Sequence, residues 1–123
     1  MTDHLSLEDA LHVAKRMGFP VRDAGLLASA LARPATTLFG ADAYETLELK
    51  AAALLESVVR NHPFVDGNKR SGWTLLVAFL WINGRRHDFT TDEGFALVIG
   101  VAEGRLDLVA VDAHLRSHTP VRD

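Results

Sequence analysis

Apolar positions along the chain recur mainly at helical spacing. Leu7, Ala10, Leu11 and Ala14 share one face of a segment that Ser6 and Asp9 can cap and Gly18 can stop. That pattern predicts a helix from about Leu7 to Met17. Asp23 can cap a second helix over Ala24 to Ala32, which Pro34 ends. Residues 35–43 hold two threonines, a glycine and an aspartate, and read as a loop or a short hairpin. From Tyr44 or Glu45 a longer helix runs to about Asn61. Leu47, Ala51, Leu54, Leu55 and Val58 recur on its inner side, and Glu48, Lys50 and Glu56 are expected on the surface. A break containing Pro63 and Gly67 leads to a second long helix, from about Asn68 to Asn83, stopped by Gly84. Its middle, WTLLVAFLWI, is apolar on every side, and such a helix belongs in the centre of a domain. Trp73, Phe79 and Trp81 are accordingly expected in the core. Thr90 with Glu93 forms a capping-box pattern for a helix to about Ala102, and Asp107 can cap a last one from Leu108 to about Arg116. The stretch from Arg85 to Phe89 could form a short strand but has no evident partner.

About six helices without sustained strand alternation predict an all-α fold. The expected architecture is a compact bundle around a central apolar helix, with a short hairpin at 35–43. A length of 123 residues fits a single domain spanning 1–123. With 48% hydrophobic and 24% charged residues, the chain has enough apolar surface to offset chain entropy, so disorder is excluded. The absence of cysteine excludes disulfides, zinc–thiolate sites and thiol nucleophiles. The N-terminal MTDHLSLEDA has neither the basic nor the apolar region of a signal peptide. The longest apolar run, Trp73 to Ile82, is far short of the roughly 20 residues needed to span a bilayer. These features predict a soluble cytoplasmic protein without a membrane partner.

Charge changes this picture locally. The formal net charge is −3, which disfavours a general nucleic-acid binder. Between Arg60 and Arg86, however, five basic residues (Arg60, Lys69, Arg70, Arg85 and Arg86) face one acid, Asp66. This segment is +4 and the remainder is −7. A positive island in an acidic chain suits a small anionic ligand better than a long polyanion.

The island coincides with the loop His62-Pro63-Phe64-Val65-Asp66-Gly67-Asn68-Lys69-Arg70, whose groups are those phosphate chemistry needs. Asn68, Lys69 and Arg70 form the first turn of the apolar helix, where backbone N–H groups lack internal partners and the helix dipole is positive. Such helix starts bind phosphate. Gly67 allows close approach of a ligand. Arg70 offers a planar fork for phosphate oxygens and Lys69 a point charge. Asp66 is the one acid in the loop and is suited to Mg²⁺, which takes one or two carboxylates together with phosphate oxygens. His62 is the loop's histidine, the side chain most often used as a general base. Together these parts point to a nucleotide-dependent transferase.

The stretch HPFVDGNKR resembles the Fic signature H-x-F-x-[D/E]-G-N-x-R at every defined position. A small helical chain, a long helix leading into His62 and an apolar helix ending in Asn-Gly are similar to the death-on-curing (Doc) branch of the Fic/Doc family, with the likeness carried by Leu26 to Gly84. The resemblance implies that His62 is the catalytic base and Asp66 the Mg²⁺ ligand. Gly67, Asn68, Lys69 and Arg70 would bind the phosphates of ATP, and Phe64 would be a buried anchor of the loop. Lys69 is the discriminating position. Fic adenylyltransferases usually have Gly there, and Doc toxins have Lys. In the Doc branch, Lys accompanies an inverted nucleotide and transfer of the terminal phosphate to a threonine of elongation factor Tu, which arrests translation. Gly67 is a departure, since some Doc toxins have Ala there as adenylyltransferases have Gly. The motif is a hybrid, and protein adenylylation is the alternative activity. The inhibitory pattern [S/T]-x-x-x-E-[G/N] is absent, because Phe89 and Ile99 precede Glu93-Gly94 and Glu103-Gly104. The resemblance therefore implies a cognate antitoxin acting in trans.

Other features have plainer readings. His114 and His118 have metal-ligand spacing, but no acid completes a site, and they read as ordinary helix residues. Arg85 and Arg86 read as solvated loop charges. A catalytically silent helical interaction module is the competing class, against which stand the intact His62, Asp66, Asn68 and Arg70. A DNA-reading helix is disfavoured because Trp73 to Ile82 is too apolar to face a groove.

Overall fold

The computed structural model describes all 123 residues, Met1–Asp123. It contains six α-helices: α1 (Leu7–Met17), α2 (Ala24–Ala32), α3 (Leu47–Asn61), α4 (Asn68–Ile82), α5 (Thr91–Ala102) and α6 (Leu108–His118). A 3-10 turn, Arg33–Ala35, follows α2, and a two-stranded antiparallel hairpin, β1 (Thr37–Leu38) and β2 (Ala41–Asp42), precedes α3. The fold is all-α, as the apolar periodicity predicts. No helix is long and apolar enough to cross a membrane.

Local chemistry explains most element boundaries. Ser6 and Asp9 close a reciprocal capping box on α1, and Gly18 ends that helix with a left-handed backbone at φ 76°. Hydrogen bonds from the Ser6 backbone and hydroxyl hold the Asp9 carboxyl below its usual range. Thr90 and Glu93 close the same box on α5, with the same effect on Glu93. Asp23 and Asp107 cap α2 and α6. The longest discrepancy is at the start of α3. The helix begins at Leu47 rather than Tyr44 or Glu45, because the Thr46 hydroxyl accepts from the Leu49 N–H at 3.0 Å and acts as the cap. The hairpin at 35–43 turns through Phe39 and Gly40, both at positive φ (52° and 80°), a turn that matches strand twist.

The centre of the bundle is shared differently from the pattern-based expectation. α3 packs against α2, the 3-10 turn, α4, α5 and α6, and is the more enclosed of the two long helices. Small residues make this possible. Ala51, Ala52 and Ala53 are fully buried and let neighbouring helices approach on several sides. α4 buries Leu75, Leu76, Phe79 and Leu80 but exposes its C-terminal end. Trp81 is 51% exposed instead of lying in the core, and its indole is covered by the Arg122 guanidinium, 4.5 Å from the ring centre.

Two charges expected on the surface of α3 are also buried. Glu48 lies 3.7 Å from Arg85, and Lys50 pairs with Asp42 at 3.1 Å and donates to the Tyr44 carbonyl. Each is tolerated because a partner replaces water. Lys50 thereby ties the base of the hairpin to α3. Arg33 ties the other side, reaching the Tyr44 hydroxyl, Glu56, Ser57 and the Ala53 carbonyl. The stretch after α4 does find a partner. Arg85 bridges to Val121, and the Arg122 N–H donates to the Gly84 carbonyl, so the C-terminal residues close the bundle beside α4.

The contact between α3 and α4 is the most extensive between any two elements, and it is close at Gly72. A Cβ built on Gly72 would lie 2.7 Å from Val59 Cγ1 and 3.3 Å from Leu55 Cδ1. The Gly72→Ala substitution should cost about 1–3 kcal/mol of overpacking. It should return at most about 1 kcal/mol of helix propensity. A net loss of stability is expected, read as a lower urea midpoint at unchanged slope. An unchanged midpoint would show that the two helices can part without cost.

Candidate active site

The site is built where α3 stops and α4 starts. His62 ends α3 in a left-handed conformation, φ 55° and ψ 60°, and its N–H still reaches the Val58 carbonyl. The chain then turns through Pro63 to Asp66, and Gly67, also left-handed at φ 70°, opens α4. Phe64 is 1% exposed and packs edge-on against Phe19, with ring centres 6.1 Å apart. His62, Asp66, Lys69 and Arg70 are exposed on the outer side of the same turn. The loop thus has an apolar root and a polar rim.

A second segment holds the loop from outside. Residues 19–23, between α1 and α2, run antiparallel to it, with Val21 bridged to Phe64. The Val65 N–H donates to the Pro20 carbonyl at 2.9 Å, and the N–H groups of Arg22 and Asp23 both donate to the Pro63 carbonyl. The Arg22 side chain donates to the carbonyls of His62 and Asn61. From within, Asn68 braces the turn: its Oδ1 accepts from the Phe64 N–H at 2.9 Å and its Nδ2 donates to the Phe64 carbonyl at 3.1 Å. The Asn68 carboxamide is therefore engaged in shaping the loop, and its backbone N–H is the group left facing outward.

The start of α4 is an anion-ready surface. The first backbone bond of the helix runs from Ser71 to the Gly67 carbonyl, and Gly67 offers no side-chain cap. The N–H groups of Asn68, Lys69 and Arg70 are left without partners, and no acid lies in the first turn. Lys69 and Arg70 add two full charges, and the Arg70 guanidinium lies 5.4 Å from the centre of the Phe19 ring. Of the remaining cations in the positive island, Arg85 is turned away, bonded to Glu48 and to the Thr119 carbonyl. The loop's own charged side chains are Lys69 and Arg70 beside Asp66, and Arg22 adds a guanidinium at the His62 carbonyl.

Next to these residues lies a cleft of about 390 Å³ between α1, α4 and α5. Lys69 and Arg70 stand at its rim, and Trp73, Phe89 and Phe95 form its walls. The His87 ring packs edge-on to Trp73, and its Nδ1 is buried without a hydrogen-bond partner. Trp73 is half-buried: one side packs against the core and the other forms a cleft wall. His114 is exposed, and His118 is paired with Asp88 at 2.7 Å, so the two do not form a metal site. No group of three His, Cys, Asp or Glu side chains could hold a metal by itself. Asp66 stands as a lone exposed carboxylate, a donor set that fits Mg²⁺ only where phosphate oxygens and water complete the shell.

Phe19, Arg22 and the far wall of the cleft are absent from the sequence-based reading. Arg22 and His62 are separated by 40 positions, and neither spacing nor composition links them. The one available signal is that Phe19 to Asp23 connects two predicted helices yet holds an aromatic and an arginine in a short turn.

The chain is similar to known proteins over most of its length. The Fic/DOC family model matches residues 4–80. A curated protein of Mycolicibacterium smegmatis (strain ATCC 700084 / mc(2)155), named Toxin Doc, is 46% identical over 120 residues, covering 94% of this chain and 92% of that protein.

The brace at Asn68 can be tested directly. Asn68→Ala leaves the Phe64 N–H and carbonyl unpaired, at an expected cost of about 1–3 kcal/mol. Hydrogen exchange at the Phe64 amide should accelerate correspondingly. Unchanged exchange would show that the antiparallel pairing with residues 19–23 holds the loop alone.

Proposed function

The chain belongs to the Fic/DOC family, and from that premise we propose that it is the toxin of a toxin–antitoxin pair. In this reading it is an ATP- and Mg²⁺-dependent phosphotransferase, acting in the cytoplasm on a Ser or Thr hydroxyl of a protein. The target proposed from the family resemblance is elongation factor Tu, whose modification would arrest translation. The curated relative's name, Toxin Doc, supports the toxin role. The observation that carries the activity is the α4 start, where three unpartnered N–H groups stand with the Lys69 and Arg70 charges at the end of the loop that exposes His62.

The chemistry follows from that arrangement. His62 takes the proton of the incoming hydroxyl, whose oxygen attacks the terminal phosphorus of ATP. The bond from that phosphorus to the bridging oxygen breaks, and ADP leaves with the bridging oxygen. The N–H groups at residues 68–70, with the Arg70 fork and the Lys69 ammonium, stabilise charge on the phosphate oxygens. Mg²⁺, held by Asp66 and the phosphates, would neutralise part of that charge when bound. The aromatic cleft beside Lys69 is large enough for a nucleobase. The chain carries no [S/T]-x-x-x-E-[G/N] helix, which supports an inhibitor supplied by a separate antitoxin.

Adenylylation on the same scaffold is the second reading, and Gly67 is the residue that favours it. A side chain at position 67 would need a left-handed backbone, and its Cβ would press to 3.3 Å from Phe19. This loop is thus built around Gly, as in adenylyltransferases. ATP labelled separately at the α and γ phosphates, incubated with cell lysate, distinguishes the two activities. Transfer of γ label alone is expected, and transfer of α label would establish adenylylation. His62→Ala should reduce either transfer by at least about 10²-fold with an unchanged melting temperature. Persistent labelling in that variant would remove His62 from its role.

A further inference from the structure

We propose that Arg22 is a positioning residue for His62, one that sets the direction in which the imidazole leaves the backbone. The inference rests on the reading of His62 as the base. Arg22 donates from both Nε and Nη2 to the His62 carbonyl, at 2.9 and 2.5 Å, and from Nη2 to the Asn61 carbonyl at 3.3 Å. Its own backbone N–H donates to the Pro63 carbonyl at 2.8 Å. One residue thus grips the carbonyls on both sides of the Pro63 nitrogen, with its side chain on one and its main chain on the other.

Two constraints make such a grip necessary. His62 is non-glycine at φ 55°, and it precedes a proline, which favours extended backbone at the preceding position. A backbone in so sparsely populated a region persists only where its surroundings over-determine it. The last carbonyls of α3 also lack helical partners and carry the negative end of the dipole, which a guanidinium complements. The His62 ring itself is exposed, and every side-chain hydrogen bond at this residue goes to its carbonyl. The direction of its Cα–Cβ bond is set by the backbone, and Arg22 holds that backbone.

The test uses Arg22→Ala and Arg22→Lys in the full chain. The first readout is the one-bond coupling between the α carbon and α proton of His62, which is smaller at positive φ than at negative φ and needs no substrate. The second is kcat and KM for ATP in the transfer assay. In Arg22→Ala the coupling should move away from its left-handed value and kcat should fall by about 10²-fold, the scale of a misplaced catalytic group. KM for ATP should stay within roughly twofold, since the phosphate-binding N–H groups at residues 68–70 are untouched. Arg22→Lys keeps one donor and should recover part of both losses. The proposal is overturned if the coupling in Arg22→Ala is unchanged. It is equally overturned if the fall in kcat matches the fraction of folded protein lost, so that kcat per folded molecule is unchanged, as a merely structural role predicts. Should His62→Ala remain active, the catalytic reading fails, and the coupling still decides whether Arg22 holds the His62 backbone.

Discussion

Two helix ends separated by the six residues His62 to Gly67 govern this molecule. α3 arrives with carbonyls that have lost their helical partners, and α4 departs with amides that never had any. The two sets are treated oppositely. The carbonyls of Asn61, His62 and Pro63 are all satisfied, by Arg22 and Asp23. The amides of Asn68, Lys69 and Arg70 are left open. A junction with both sets paired would be a connection and nothing more. With the donors alone left free, it is a positive concavity on a rigid rim.

The rigidity comes from the interior. α3 can sit among five neighbours only because its middle is alanine, and its polar residues go inside only because each finds a partner. Glu48 meets Arg85, and Lys50 meets Asp42 and the Tyr44 carbonyl. These pairs contribute less to net stability than to placement, since burying charge offsets most of the Coulombic gain. Lys50 and Arg33 settle where the hairpin meets the bundle. Arg85 settles where the residues after α4 run. The positive island counted along the chain is thereby divided, part going into the scaffold and part remaining at the loop.

Helix positions and the loop motif were legible in the sequence because both are local. Caps at Ser6, Asp23, Thr90 and Asp107, and stops at Gly18 and Gly84, act within a turn of the residues they control. A start of α3 at Tyr44 or Glu45 is too early, because the Thr46 hydroxyl caps the helix at Leu47. The burial of Glu48 and Lys50 was illegible because their partners lie on other elements. Trp81 misled for the reverse reason: a helix apolar all round can end at the surface when an arginine from the far end of the chain covers it. At the site, residue types and spacing identified the loop that faces the solvent. Phe19 and Arg22, which hold it from behind, enter through tertiary contact alone.

The antiparallel pairing of residues 19–23 with the loop has a consequence in time. The apolar helices can collapse on one another while the connection between α1 and α2 is still free. The working shape of the loop appears only when a segment some 40 positions upstream docks against it. That segment is held by backbone bonds, the Arg22 side chain and one phenylalanine, a contact much smaller than the core beneath it. A contact of this kind can open at less cost than global unfolding, so the shape of the loop and the folding of the helices are separable properties of this chain. A population can be fully helical and still hold members whose loop is undocked.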